Sequence, residues 1–217
     1  MNADADPGQT SEQQRDLIQD HLLAMQTLHR MRAFFMGVLL LALLMPVVTY
    51  GLADMDLLSP APSTGDSAGQ PPKMPVAFHL ASGAGELAPP AARMMAVLLI
   101  VVYFLNINIC LIGRLGSARD TIVALMWIGV LLLFLGPWLS DLLPAGSPRI
   151  FHSTSVVVEA CGEVAQGWPD RASQYAKFLG LPLLGLLTAI VADLRLGRCY
   201  RDAVRRAKQR MGITIHH

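Results

Sequence analysis

Apolar positions in this chain gather into four long runs separated by polar text: Phe34–Leu52, Met94–Ile112, Ile122–Leu139 and Phe178–Leu194. Each has about the 17–25 residues that a helix needs to cross a hydrocarbon core. The first three carry no charge and the fourth carries only Asp193, near its end. Inside a bilayer the backbone has no water to bond, so a spanning segment must satisfy its own N–H and C=O groups as helix. The pattern predicts an all-α integral membrane protein with four transmembrane helices. The first run follows some 30 polar residues and no small-residue cleavage site comes after it, so it reads as a retained anchor.

Composition agrees with lipid as part of the solvent. Only 15% of residues are charged and 53% are hydrophobic, against about 25% charged in ordinary soluble domains. Lysine and arginine set the orientation. Twelve of the 17 lie in the N-terminal segment, the short link between the second and third runs, and the C-terminal tail; five (Lys73, Arg93, Arg149, Arg171, Lys177) lie in or beside the two long connections. Basic flanks stay inside, so both termini are expected in the cytoplasm and both long loops outside, in a bacterial inner membrane.

The text also echoes itself. "GVLLLALLMP" (37–46) returns as "GVLLLFLGP" (129–137), and "DLLSPAPS" (56–63) as "DLLPAGSP" (141–148). Phe78-His79 matches Phe151-His152, Gly85-Glu86 matches Gly162-Glu163, and "LIGRLGSARD" (111–120) precedes "RLGRCYRD" (195–202). The ordered polar markers predict two tandem, duplicated helical hairpins related by an axis along the membrane normal. The expected organisation is a cytoplasmic segment 1–32, a first hairpin 33–120 with outer loop 53–92, a second hairpin 121–196 with outer loop 140–176, and a basic tail 197–217.

The connecting segments differ in character. Residues 1–10 read as disordered, and 11–32 as an amphipathic helix capped by Ser11, with Ile18, Leu22, Met25 and Leu28 in a stripe. The stretch 53–92 is rich in Pro, Gly, Ser and Ala and reads as flexible linker. In the second loop, 155–166 has helical spacing, "GWPDR" should break it, and Trp168 suits the membrane interface. Pro46, Pro137 and Pro182 should bend or interrupt their helices.

Few residues could carry chemistry. His79, Glu86, His152 and Glu163 are the only paired polar set, and imidazole with carboxylate suits zinc or a similar cation. Their spacings, seven and eleven residues, offer no ready helical ligand pair, and a loop-anchoring role is the favoured reading. Asn106 and Asn108 lie at membrane depth about 200° apart around the helix, so only one can bond a given neighbour. Asp193 is expected to pair with Arg195 or Arg198. Arg198, Arg201, Arg205, Arg206 and Lys208 make a basic surface for anionic lipid. Cys110, Cys161 and Cys199 fall in three settings, with no two in an oxidising compartment. No histidine lies within a run to ligate haem, and there is no phosphate loop or nucleophile elbow.

No cofactor and no catalytic residue is expected. The reading is a non-catalytic membrane subunit or scaffold of a cell-envelope complex of secretion, export or respiratory type. Its expected partners are lipid, other membrane subunits or copies of itself, and not nucleic acid. The alternatives are a small transporter or channel of oligomerised hairpins, and a metal-binding or redox accessory protein using the outer His and Glu residues.

The charge bias makes an immediate prediction. Reporters that need an oxidising exterior should be active when fused near Gly69 or Gly146, and silent near Ser117 or after Gly212. An active fusion at Ser117 would reverse the orientation.

Overall fold

The computed structural model describes residues 7–58, 75–112, 119–136, 149–162 and 168–210. Those residues are helical with short connections, and no strand occurs among them. The long elements are α1 (Pro7–Asp54), α2 (Val76–Ile112), α3 (Arg119–Leu135) and α6 (Leu181–Arg210). Two short helices, α4 (Thr154–Gly162) and α5 (Trp168–Tyr175), cover one end, and a π-helical turn (Ala176–Gly180) joins α5 to α6. Three stretches are long and apolar enough to cross a membrane: Leu23–Asp54, Val76–Ile112 and Trp168–Arg206. In α3, 17 residues are helical, about 25 Å at 1.5 Å per residue.

The helices form a ring. α1 packs against α2 and α6, and α3 packs against the same two, so α2 and α6 face each other across a diagonal. Their buried positions share one rhythm. Ala96, Leu99, Tyr103, Asn106 and Cys110 face inward from α2; Thr121, Ala124, Ile128, Leu131 and Leu135 from α3; Ala189, Ala192, Leu196, Cys199 and Ala203 from α6. The spacing alternates three and four residues, the seam of coiled-coil bundle packing. On α1 the same seam runs Met25, Arg32, Met36, Leu39, Leu43 and Tyr50. Ala88, Ala92 and Ala96 put a strip of methyl-sized residues on α2. With no hydrophobic drive between helices in lipid, such small residues let backbones approach and gain dispersion contacts. Gly185 serves α6 similarly: a Cβ there would lie 3.4 Å from Leu131 Cδ1 and 3.5 Å from Leu43 Cδ2.

Several sequence expectations change. Residues 7–54 form one unbroken helix, with Pro7 at its first position and Pro46 inside it. Proline is at home in a first helical turn, where its missing N–H is not needed. Residues 76–92, expected as linker, are the first half of α2, and Pro89 and Pro90 lie within it. Alanine is the strongest helix former, and here its small side chain also fits against α1, so packing outweighs two lost donors. "GWPDR" starts α5 with Pro169 in its first turn, rather than only breaking a helix. Pro137, the link 113–118 and the loop residues 59–74, 137–148 and 163–167 lie outside the described residues.

The ends of the helices have local causes. At the end of α1, Asp56 adopts a left-handed φ of 57°. Leu57 N–H then bonds the Leu52 carbonyl (3.1 Å) and Asp56 N–H the Ala53 carbonyl (3.0 Å), which is the Schellman arrangement. Leu58, just beyond, is fully buried beneath the end of the bundle. At the end of α3, Arg93 Nε donates to the Leu135 carbonyl at 2.6 Å, so a cation meets the negative end of the helix.

Gly185 tests this packing. Gly185→Ala should be tolerated, since its methyl meets neighbours at ordinary contact distance. Gly185→Leu must displace Leu43 and Leu131 and should cost about 1–3 kcal/mol, read as a lower unfolding midpoint in detergent micelles. Equal midpoints for the two variants would show that this seam is not tightly packed.

Candidate functional site

Of the buried polar residues, Arg32, Asn106 and Thr121 lie toward the end where α1 begins and α6 finishes, and Thr49, Thr154 and Thr188 toward the other. Here the first is termed the terminal end; the other is the loop end. Arg32, on the α1 seam, has a side chain only 8% exposed and sends Nη2 to Asp193 Oδ1 on α6 at 3.4 Å. Tyr103 is fully buried on α2. His29 stacks on Tyr200, with centroids 4.3 Å apart and planes at 13°. Further along the axis Asn106 Nδ2 donates to Thr121 Oγ1 (3.3 Å), and Thr121 Oγ1 is 3.2 Å from Cys199 Sγ. Cys110 and Cys199 are both buried. Thus α1 and α6 share one polar group, and α2, α3 and α6 share a second.

These groups are only partly satisfied. His29 Nδ1, Arg32 Nε, Arg32 Nη1 and Tyr103 Oη are buried without a hydrogen-bond partner. A small cavity touches His29 and Arg32, lined also by Met25, Leu28, Asn106 and Tyr200, with about 10 Å³ of room for water. That is roughly one molecule. A water there can satisfy some of these groups; a larger solute cannot enter without moving helices.

At the loop end, His152 lies against Phe178, with centroids 4.7 Å apart. A second cavity of about 10 Å³ lies beside it, between Pro46, Tyr50, Gly85, Phe151 and Thr154. The π turn presents Phe178, and Gln174 Nε2 ties α5 to α4 through the Ala160 carbonyl at 3.1 Å. His152 Nε2 is buried and unpaired. Burial holds the His152 pKa below the ordinary imidazole value; Lys177 and Arg149 push the same way, against a pull from nearby backbone. The ring is therefore neutral at physiological pH. Burial raises the Cys161 thiol, with Asp54 and Asp56 adding to it, so it stays protonated.

The sequence candidates separate. His79 and Glu86 are exposed on α2, His152 is half-buried in an extended segment before α4, and Glu163 lies outside the described residues. The two Phe-His pairs thus occupy different local structures, helix and extended chain. Phe78 packs at the edge of the Tyr50, Val157 and Phe178 cluster, whereas Phe151 packs on the main core. Among the described residues no three His, Cys, Asp or Glu side chains converge to hold a metal ion. Asn106 bonds across to α3, while Asn108 Nδ2 returns to the Phe104 carbonyl of its own helix at 2.8 Å. Arg198, Arg201, Arg205 and Arg206 are exposed; the Lys208 side chain lies outside those described. Asp193 pairs with Arg32, not with Arg195 or Arg198 as expected, because the helical neighbours face solvent or lipid while α1 stands directly opposite.

Sequence reasoning missed Arg32, Tyr103, Thr121 and the Thr121–Cys199 contact. A signal existed: each falls on the three-four spacing of its helix's apolar seam, where a polar residue signals a buried contact. Comparison with family models, with curated proteins and with solved structures finds no match for this chain.

Two predictions follow from these groups. Asp193→Leu leaves the Arg32 cation buried and unpaired. Removing one partner of a buried pair is far costlier than removing both. The loss should be on the order of 2–3 kcal/mol, reduced from the fully buried case because Asp193 is 37% exposed. Adding Arg32→Met should recover most of it. A double variant as unstable as the single one would mean that the pair is not coupled. For His152, a depressed pKa stabilises the fold fully above the unfolded value of 6.5, and this contribution fades as pH falls below it. Wild type should therefore lose stability from about pH 6.5 downward more steeply than His152→Gln; parallel curves would show that His152 is not responsible.

Proposed function

We propose that the chain is a non-catalytic integral membrane subunit, a scaffold within a larger cell-envelope assembly of secretion, export or respiratory type. What carries this reading is the axis of the bundle. From Tyr50 to Met36 on α1, and alongside on α2, α3 and α6, the core is mostly leucine, isoleucine and alanine. Among the described residues the charged pair and the Asn106–Thr121 contact lie toward the terminal end, and the cavity described at each end has room for about one water. A solute path through a single copy would need a polar file across the apolar stretch, and a catalytic pocket would need more volume. A further support is α1 itself. Its helix begins at Pro7, yet Met25 is its first buried side chain among those described. Gln19, Asp20, Leu23 and Ala24, described ahead of it, are exposed and offer a surface to another subunit.

Finer parts of the proposal follow from the charge pattern and the echoes in the text. Both termini lie in the cytoplasm of a bacterial cell, and α3 is the fourth span of the inner membrane. The ring order α1, α2, α3, α6 suits two tandem hairpins, α1–α2 and α3–α6. The second reading is a small transporter, favoured by one observation: an ionisable pair, Arg32 and Asp193, placed where such residues mark ion pathways.

Mild-detergent purification of the full chain separates the two. A scaffold should co-purify with a membrane partner at fixed stoichiometry, and the partner should become unstable when the chain is deleted. A homogeneous preparation without partner, conducting ions in liposomes and silenced by Asp193→Asn, would replace the scaffold reading with the transporter.

A further inference from the structure

The cavity at the terminal end sets hydrogen-bond donors in an apolar wall. Arg32, 6% exposed, lines it and leaves Nε and Nη1 buried without a partner. His29 lines it too, with Nδ1 buried and unpaired, and its ring is held by the stack on Tyr200. The Asn106 amide, another lining group, has a second N–H beside the one it gives to Thr121. Met25, Val102 and Leu196 supply apolar wall. Asp193 takes Arg32 Nη2 at 3.4 Å, yet it is not among the described residues that line the cavity. A fixed positive charge therefore faces this space, and no described carboxylate does.

We propose that this cavity is a halide site that takes chloride, held by the Arg32 guanidinium and by His29 through Nδ1–H. A guanidinium can only donate, so its occupant must accept. Water accepts two bonds but must also place two hydrogens of its own against a largely apolar wall. An anion accepts from every direction and brings no hydrogen. Its charge meets Arg32 where low-polarity surroundings leave the attraction weakly screened. Size narrows the choice further. About 10 Å³ is roughly one water, which suits a monatomic anion; tetrahedral phosphate or sulfate would force the helices apart. Arg30, Arg195 and Arg198 are exposed toward the same end. Their potential draws anions in and offsets the Asp193 carboxylate. The walls come from α1, α2 and α6, so a bound ion ties three helices together at their terminal end.

The test uses the full chain in phosphatidylcholine nanodiscs, with chloride followed by its NMR line width as it replaces gluconate at constant ionic strength. Wild type should broaden the line saturably beyond protein-free discs, and bromide should compete while phosphate does not. Chloride should also raise the unfolding midpoint, as a ligand of the folded state alone does. His29→Phe keeps a ring on Tyr200 but removes the nitrogen, and should weaken chloride several-fold. Arg32→Met with Asp193→Leu removes both charges together, and should abolish the excess broadening and the chloride dependence of the midpoint. Broadening that survives in this double variant puts chloride on surface arginines, and competition by phosphate makes the site one for headgroups or free phosphate; either overturns the proposal. So does a wild-type line no broader than that of protein-free discs, or equal affinity in His29→Phe. If the double variant does not fold, His29→Phe and the phosphate competition decide.

Discussion

The three-four seam shared by four helices is the constraint on which the rest depends. In lipid, helices gain nothing from leaving the solvent, so they associate only where shapes fit closely. A seam spaced this way keeps one face of each helix on the bundle axis over many turns. Every side chain on that face is then committed to the core, whatever its chemistry. Ala88, Ala92 and Ala96 let α1 and α2 approach, and Gly185 lets α6 close against Leu43 and Leu131. The same register brings Arg32, Tyr103, Asn106, Thr121 and Cys199 inward.

Placing polar groups on that axis is costly, and the structure offsets the cost unevenly. Asn106, Thr121 and Cys199 form a relay in which each link strengthens the next. Arg32 has a partner for one nitrogen but leaves two others and the Tyr103 hydroxyl unpaired. A partly satisfied network stabilises less than leucine would, so its value lies in specificity or function. It sets which helix faces which: Arg32 can meet Asp193 in only one rotation of α1 against α6. It also breaks the apolar core at a defined depth.

The loop end uses different means. There the helices are finished by a Schellman turn at Asp56 and by Arg93 on the Leu135 carbonyl, and α4 packs against both α1 and α2. The π turn, one residue wider than an α turn, faces Phe178 onto Tyr50 and His152, at 5.8 and 4.7 Å between ring centroids. The result is an aromatic lid over the loop end of the core, with a neutral imidazole beside Phe178.

The sequence by itself determined that this chain is helical and that it holds segments able to cross a membrane, because runs of uncharged apolar residues have only that solution where water is absent. It also held, unread, the spacing that buries Arg32 and Cys199, since a seven-residue rhythm is local and needs no partner to be seen. Whether residues 76–92 were linker or helix could not be decided locally. Proline and glycine argued for one and alanine for the other, and contact with α1 settled it. The likeness of the two Phe-His pairs was real as text, but each took its conformation from what lay beside it, helix at Phe78 and extended chain at Phe151. Pairings across the bundle were the tertiary structure's alone. Asp193 had arginines at two and five residues' distance in its own helix, yet bonded one 161 positions away, because only packing decides which side chain shares a dry space with which.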